Sequence, residues 1–218
     1  MSTAPNPRRR AALFALPLAV AGLLGTAAAV PAQAATTGQD GRASSLTCQG
    51  QGVDPAAKVR YRTETLVKAP LRTIWNLQTD VEGWPSWQAP VATMKRLDPG
   101  PLHRHSRFRW TTPIPANPAG PATTMVITST VQQLQRGQCV RWTGPADADG
   151  IHIDGVHVWN FTRVRDGVLV RTEETHTGPQ VDANVPAATE ILKTGLESWL
   201  RDLKAAAENS PCASSDEG

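Results

Sequence analysis

His157, Glu174 and His176 are the ionisable side chains whose spacing would let them act together. They lie in two strand-like runs, Ile151 to Val164 and Val168 to Thr177, joined by the turn sequence Asp166-Gly167. Side chains alternate along a strand, so His157, Trp159 and Phe161 share one face of the first run, while Val170, Thr172, Glu174 and His176 share one face of the second. Turned to the same side, two imidazoles and a carboxylate would supply acid–base chemistry or hold the polar group of a ligand. Turned to the convex side, or hydrogen-bonded inside a core, the same residues would be structural, and alternation alone does not choose between these placements. His103-Arg104-His105 offers two imidazoles at alternate positions, but no Asp, Glu or Cys accompanies them at ligand spacing, so a solvated loop is expected and no metal site. There is no nucleophile elbow, phosphate-cradling glycine loop, dinucleotide fingerprint or zinc-protease helix, and no cofactor is expected. Asn160-Phe161-Thr162 has the form of a glycosylation acceptor but falls within a strand-like run, which makes it a coincidence.

Seven Trp against three Phe and one Tyr set the character of the apolar residues. Trp brings a large apolar area with one N–H that needs a partner, so several together build a core or line an apolar cavity. Trp75 and Trp199 fall on helix faces and read as core. Trp84 and Trp87, beside a Gly and a Pro in a broken helix, are placed to rim a cavity mouth, or to act as packing staples. Trp110, Trp142 and Trp159 are strand residues that would line a cavity if they point inward. Arg107, Arg109 and Arg141 alternate with them; outward, they are solvated charges, and inward they would call for an anionic group on a ligand.

The 218 residues fit one domain with an extension. Lys+Arg 22 against Asp+Glu 19 gives +3, and Arg8-Arg9-Arg10 account for all of that excess. The rest is formally neutral, which argues against a phosphate-tracking surface, and no nucleic-acid partner is expected. Residues 1–34 combine this basic start, an apolar stretch from Ala11 to Val30 and the small-residue sequence Ala32-Gln33-Ala34, the form of a bacterial export signal cleaved after Ala34. A secreted or cell-envelope location follows, with membrane contact only through the uncleaved signal. Export permits disulfides. Cys48 and Cys212 bracket the folded region and are the expected bridge, with Cys139 buried and free, although three cysteines allow three single bridges or none.

Residues 35–58 carry no apolar period and read as a flexible linker. The domain then spans 59–208, followed by a tail over 209–218. Val59 to Val67 reads as a strand, and Leu71, Ile74, Trp75 and Gln78 share one side of a short helix that Gly83 and Pro85 separate from a second helical turn. Six further strands follow: Val91 to Leu97, His105 to Thr112, Thr123 to Gln135, Gln138 to Thr143, and the two runs above. Their short turns favour an antiparallel meander. Prolines 113, 115, 118 and 121 mark a surface loop. From Pro186 to Glu208, Ala188, Ile191, Leu192, Leu196, Trp199, Leu200 and Leu203 recur at helical spacing, with Gly195 inside that face.

This order resembles the helix-grip fold of the START-like polyketide cyclase/dehydrase superfamily. The resemblance is carried by Ala69-Pro70-x-x-x-Ile74-Trp75, by Thr79-Asp80 running into Trp84-Pro85-x-Trp87, and by His157-Val158-Trp159-Asn160-Phe161 leading to Thr172-Glu173-Glu174-Thr175. It implies an α+β fold: a curved seven-stranded antiparallel sheet around a long C-terminal helix, two short helices after the first strand, and a largely apolar cavity between sheet and helix. The expected partner is a small hydrophobic or amphipathic molecule, a lipid, polyketide or aromatic compound, held by Trp84, Trp87, Trp110, Trp142, His157, Trp159 and Phe161. One alternative is an aromatase/cyclase enzyme in which His157, Glu174 or His176 moves a proton. Another is a cell-envelope interaction module whose core has closed. Nothing in the sequence requires an enzyme.

Overall fold

The computed structural model describes residues 44–116 and 121–210. Residues 1–43, where the expected export signal falls, residues 117–120, and residues 211–218 with Cys212 lie outside the described residues. Seven strands form one antiparallel sheet: β1 (Val59–Val67), β2 (Thr93–Arg96), β3 (Arg107–Ile114), β4 (Thr123–Gln135), β5 (Cys139–Ala148), β6 (Ile151–Val164) and β7 (Gly167–Thr177), in the order β1-β7-β6-β5-β4-β3-β2. The sequence order β2 to β7 is a simple meander, and β1 closes onto β7. Helix α1 (Leu71–Thr79) and the 3₁₀ helix Val81–Ser86 follow β1. A five-residue helix α2 (Pro179–Ala183), which the helical periodicity did not announce, precedes the long α3 (Val185–Asn209), where the Asn184 side chain accepts from Ala187 N–H as the N-cap.

The sheet wraps α3, whose buried stripe is Leu192, Leu196, Trp199, Leu200, Leu203 and Ala207. The principal core lies between that stripe and the concave face and includes Trp75, Trp84, Phe108, Trp142, Trp159 and Phe161. A smaller cluster of Val59, Val181, Leu192 and Leu196 fills the other end of α3. Each large apolar side chain removed from water contributes on the order of 1.5–3 kcal/mol. Among the described residues, no helix is long and apolar enough to cross a membrane.

The convex face corrects two expectations. Cys48 is bonded to Cys139, not to Cys212, with a Cα–Cα separation of 5.4 Å. Cys139 opens β5 and turns outward, while its chain neighbour Val140 turns into the core; an outward thiol on the sheet is within reach of a segment crossing the convex side. That segment is part of the expected linker. Residues 44–58 form a strap in which Leu46, Cys48 and Val53 bury against Cys139 and Val158. Their polar atoms are satisfied as well: Arg141 Nε donates to Gly52 O at 2.8 Å, and Asn160 Nδ2 to Thr47 O at 2.9 Å. Glu173, also on this face, is buried because it accepts from Leu46 N–H at 2.6 Å and Ser45 Oγ at 3.1 Å and pairs with Arg60. Glu173→Ala orphans the Leu46 N–H and should destabilise by about 1–3 kcal/mol in urea titrations, with Glu173→Gln recovering part of the loss.

Candidate functional site

An uninterrupted register between β6 and β7 builds the site: His157 stands opposite Glu174, and Gly155 opposite His176. Both strands turn these residues to the concave side, since Trp159 and Phe161, two and four positions beyond His157, belong to the core under α3. Directly opposed side chains then meet. His157 Nδ1 lies 3.3 Å from Glu174 Oε2, and His176 Nε2 lies 3.3 Å from Glu174 Oε1. Thr172, two residues before Glu174 on the same face, places its Oγ1 2.6 Å from His157 Nε2 and 3.3 Å from the Val158 carbonyl oxygen. The His157 ring rests against Trp142 and Trp159, with centroids 5.2 and 4.9 Å away.

Burial pushes the His157 imidazole down to about 4, outweighing the attraction of Glu174, so the ring is neutral at neutral pH. Burial also acts to raise Glu174, but the attraction that acts as His157 takes up a proton, together with the hydrogen bond from His176, outweighs it, and the carboxyl sits below its ordinary range. A consistent proton arrangement follows. The Nδ1–H of His157 donates to Glu174, and the Thr172 hydroxyl donates to Nε2 at the shorter of its two contacts. Rotating that hydroxyl toward Val158 O leaves its oxygen free to accept from Nε2–H. His157 can thus take up or give up a proton without moving.

The triad is deep but not sealed: the side-chain exposures are 6% for His157, 18% for Glu174 and 22% for His176. It stands in the seam between the two apolar clusters, with His157 against the Trp core and His176 paired across the sheet with Val59. Gly144 and Gly155 oppose one another on β5 and β6. The floor beside Glu174 therefore lacks a side chain, and a Cβ at Gly155 would come within 3.5 Å of Glu174 Oε1. On α3, Tyr61 donates to Glu197 at 2.6 Å and so fixes one flank of the helix to β1. Ile191 and Gly195 fall on the other flank. They were expected in the buried face, but Ile191 is 74% exposed, and a Cβ at Gly195 would meet nothing within 4 Å. The helix sits over β1 instead of the middle of the sheet, which leaves that flank open.

The aromatic candidates divide. Trp142, Trp159 and Phe161 point inward and are buried, and Trp110 points inward and is half-buried. Trp84 is not at a mouth: it is fully buried, with Phe108, Trp110, Trp142 and Trp199 around it at centroid distances of 4.8–6.1 Å. The 3₁₀ helix drops it into the concave face, and its Nε1 donates to Gln78 O. Half-buried Trp87 packs on Trp199 and lines an outer groove of about 320 Å³ with Asn76 and Leu77. Arg107 and Arg109 are exposed, and Arg141 is on the convex face. His103 Nδ1 is engaged with the Arg104 carbonyl, and among the described residues no three His, Cys, Asp or Glu are grouped to hold a metal.

Two features escaped the sequence reading. Gln78 and Gln88 are fully buried around Trp199: Trp199 Nε1 donates to Gln78 Oε1, and Gln88 Nε2 donates to Trp199 O, both at 3.2 Å. Gln78 falling on the apolar side of α1 was the available signal. The second is Trp159 Nε1, which is buried with no hydrogen-bond partner.

The profile of the family described as "Polyketide cyclase / dehydrase and lipid transport" matches residues 58–208. Among solved structures, a hypothetical protein of Helicobacter pylori aligns with TM-score 0.56 at 17% identity, covering 74% of this chain and 99% of that one. A START superfamily protein from Mycobacterium smegmatis gives 0.52 at 17%, covering 68% and 97%. The di-domain ARO/CYC StfQ from the steffimycin biosynthetic pathway gives 0.52 at 18%, covering 69% of this chain and 50% of that one. These likenesses carry the fold alone. No curated protein matches. With a curved seven-stranded sheet around a long C-terminal helix and a profile match across the whole of that unit, the chain belongs to the polyketide cyclase/dehydrase and lipid transport family.

Proposed function

We propose that the protein binds a small, mostly apolar molecule that carries a hydroxyl, phenol or enol group, held on the concave face with that group against Glu174. The observation that carries this reading is the His157–Glu174–His176 triad, an ionised carboxylate braced by two imidazoles in a seam between apolar clusters and partly open to solvent. A carboxylate accepts only, which selects a donor group on the ligand. Trp159 Nε1 supplies a spare donor for an oxygen on the same molecule. The body of the ligand would lie over Gly144 and Gly155 and under the open flank of α3.

The test is Trp emission during titration with a panel of phenols, sterols and fatty alcohols, together with native mass spectrometry of the purified protein. Saturable quenching is expected. Losing one charge-assisted hydrogen bond removes about 1.5–3 kcal/mol, so Glu174→Gln should weaken binding roughly tenfold to a hundredfold. Trp159→Phe should weaken it less while the fold persists. A panel that leaves emission unchanged, with no co-purifying molecule, would reject the reading.

The hydrogen-bond relay from Glu174 through His157 to Thr172 favours a second reading, in which the bound molecule also loses a proton to Glu174 as the enzyme forms an enolate. His157→Gln then abolishes turnover while binding persists. The proposal also includes export, with residues 1–34 removed. A structural disulfide fits an oxidising compartment. An exported protein whose intact mass corresponds to a start at Ala35 supports that part, and retention of the leader rejects it.

A further inference from the structure

We infer that the groove at the ends of β5 and β6, on the strap side of the molecule, is a second binding site, specific for a phosphate-bearing ligand. It has a volume of about 630 Å³ and takes Thr47 and Gln49 from the strap, Leu71 from α1, the β4–β5 turn, the last part of β6, and Arg171 from the middle of β7. Three of its lining residues are arginines from three different elements: Arg136 from the turn, Arg163 from β6 and Arg171 from β7. No acidic residue lines it.

Among the described ion pairs, none involves these arginines; Glu64, which faces Arg171 across β1 and β7, makes no ion pair with it. Arg171 is also held in place. Its Nη2 donates to Thr162 Oγ1 at 3.0 Å, and its Nε is buried. Gly137, at φ 69°, makes the tight turn that sets Arg136 and Gln138 on either side of it. Outside the N-terminal segment the chain carries no net charge, so three guanidinium groups outside any described ion pair around one groove are a local concentration. Guanidinium forks match phosphate oxygens in pairs, and the side chains of Gln49, Gln138 and Asn160 add neutral amide groups around them. A tetrahedral dianion uses such a set more fully than a single carboxylate does.

The strap gives the site a dependence that a merely solvated arginine cluster lacks. Thr47 and Gln49 flank Cys48, and the Cys48–Cys139 bond and Asn160 together hold them against the sheet. Reduction should therefore open one wall of the groove.

The test titrates the oxidised protein with inorganic phosphate and with glycerol phosphate at low ionic strength, following the Arg Nε–H resonances by NMR. In parallel, flotation is measured with phosphatidylcholine vesicles with and without phosphatidic acid. Saturable binding that shifts the Arg171 Nε–H is expected. It should weaken at least tenfold in Arg171→Gln and in the Arg136→Gln/Arg163→Gln double variant, persist in the concave-face variant Glu174→Gln, and fall on reduction. Flotation that requires phosphatidic acid assigns the phosphate to a lipid headgroup, whereas saturation by the soluble probes without flotation assigns it to a free phosphate compound. If neither probe saturates and no vesicle floats, or if binding survives both arginine variants unchanged, the inference is overturned.

Discussion

Replacing Cys48 and Cys139 together by Ala will lower the unfolding free energy by several kcal/mol and release the strap. The bond joins positions 91 residues apart. Closing a loop of that length removes chain entropy from the unfolded state worth roughly 4–5 kcal/mol, a ceiling that residual structure brings toward the usual 2–4. Against a total stability of about 5–15 kcal/mol, this is among the largest single contributions available to the fold. Release also has a cost on the folded side. Leu46 and Val53 are buried against Val158 by a segment with no regular secondary structure, and Glu173 accepts from Leu46 N–H. Without the covalent tie, those contacts must hold 15 residues in place against their own conformational entropy. Urea titrations with and without dithiothreitol, joined to amide exchange, check both parts. The oxidised protein should show protected amides at Leu46 and Cys48, and the double variant should lose that protection together with the stability. A midpoint shift worth under about 1 kcal/mol, with protection retained, would mean that the strap is held by packing alone.

The same segment shows where sequence reasoning stops. Leu46 and Cys48 alternate as strand residues do, but two apolar positions among Ser, Thr, Gln and Gly fall below any period that identifies an element. Burial of this stretch depends on the outward faces of β5 and β6, at a distance in sequence that no local pattern encodes. The Cys48–Cys139 pairing was hidden for the same reason, and bracketing the domain proved a poor guide to a partner. His157 and Glu174 stand at the other extreme. The Asp166-Gly167 turn fixes the register of β6 on β7, and a period of two then puts both on one face, so their contact was legible once the face was known. What the period could not supply was which face is concave. That depends on where α3 and the Trp residues pack. Trp84 failed differently: Gly83 and Pro85 correctly marked a break in the helix, yet a broken helix can drive its aromatic inward as readily as leave it at a rim. Ile191 and Gly195 belong to a clean helical stripe, and only the off-centre seat of α3 over β1 decides that their part of it stays open.

Acidification from pH 6.5 to about 4 will destabilise the protein steeply, and His157 will account for most of the slope. The imidazole titrates near 6.5 in the unfolded chain and at about 4 in the fold, because burial among Trp142 and Trp159 penalises the charged ring. Above pH 6.5 both states hold neutral His157, and its contribution is fully present. As pH falls through the window, the unfolded state binds a proton that the folded state refuses, so stability drops by about 1.4 kcal/mol per pH unit and by roughly 3 kcal/mol in all. Glu174 extends the loss: its carboxyl is held below the ordinary range, so its contribution, present above that range, disappears as the pH falls further and the folded carboxylate takes up a proton. His152, raised by the hydrogen bond it donates to Asp147, acts in the opposite direction, but it is an exposed pair at the end of the β5–β6 hairpin and too screened to cancel the effect. His157→Gln keeps hydrogen-bonding groups facing both Glu174 and Thr172 and cannot titrate. Urea titrations at half-unit steps should therefore show the wild-type free energy falling between pH 6.5 and 4.5 while the variant stays nearly flat. Equal slopes in the two proteins would place the acid sensitivity elsewhere and would remove the argument that a neutral His157 braces an ionised Glu174. The same experiment bears on function, because only a neutral imidazole can take the proton that a ligand hydroxyl or an enolising carbon would pass to Glu174 and its neighbour.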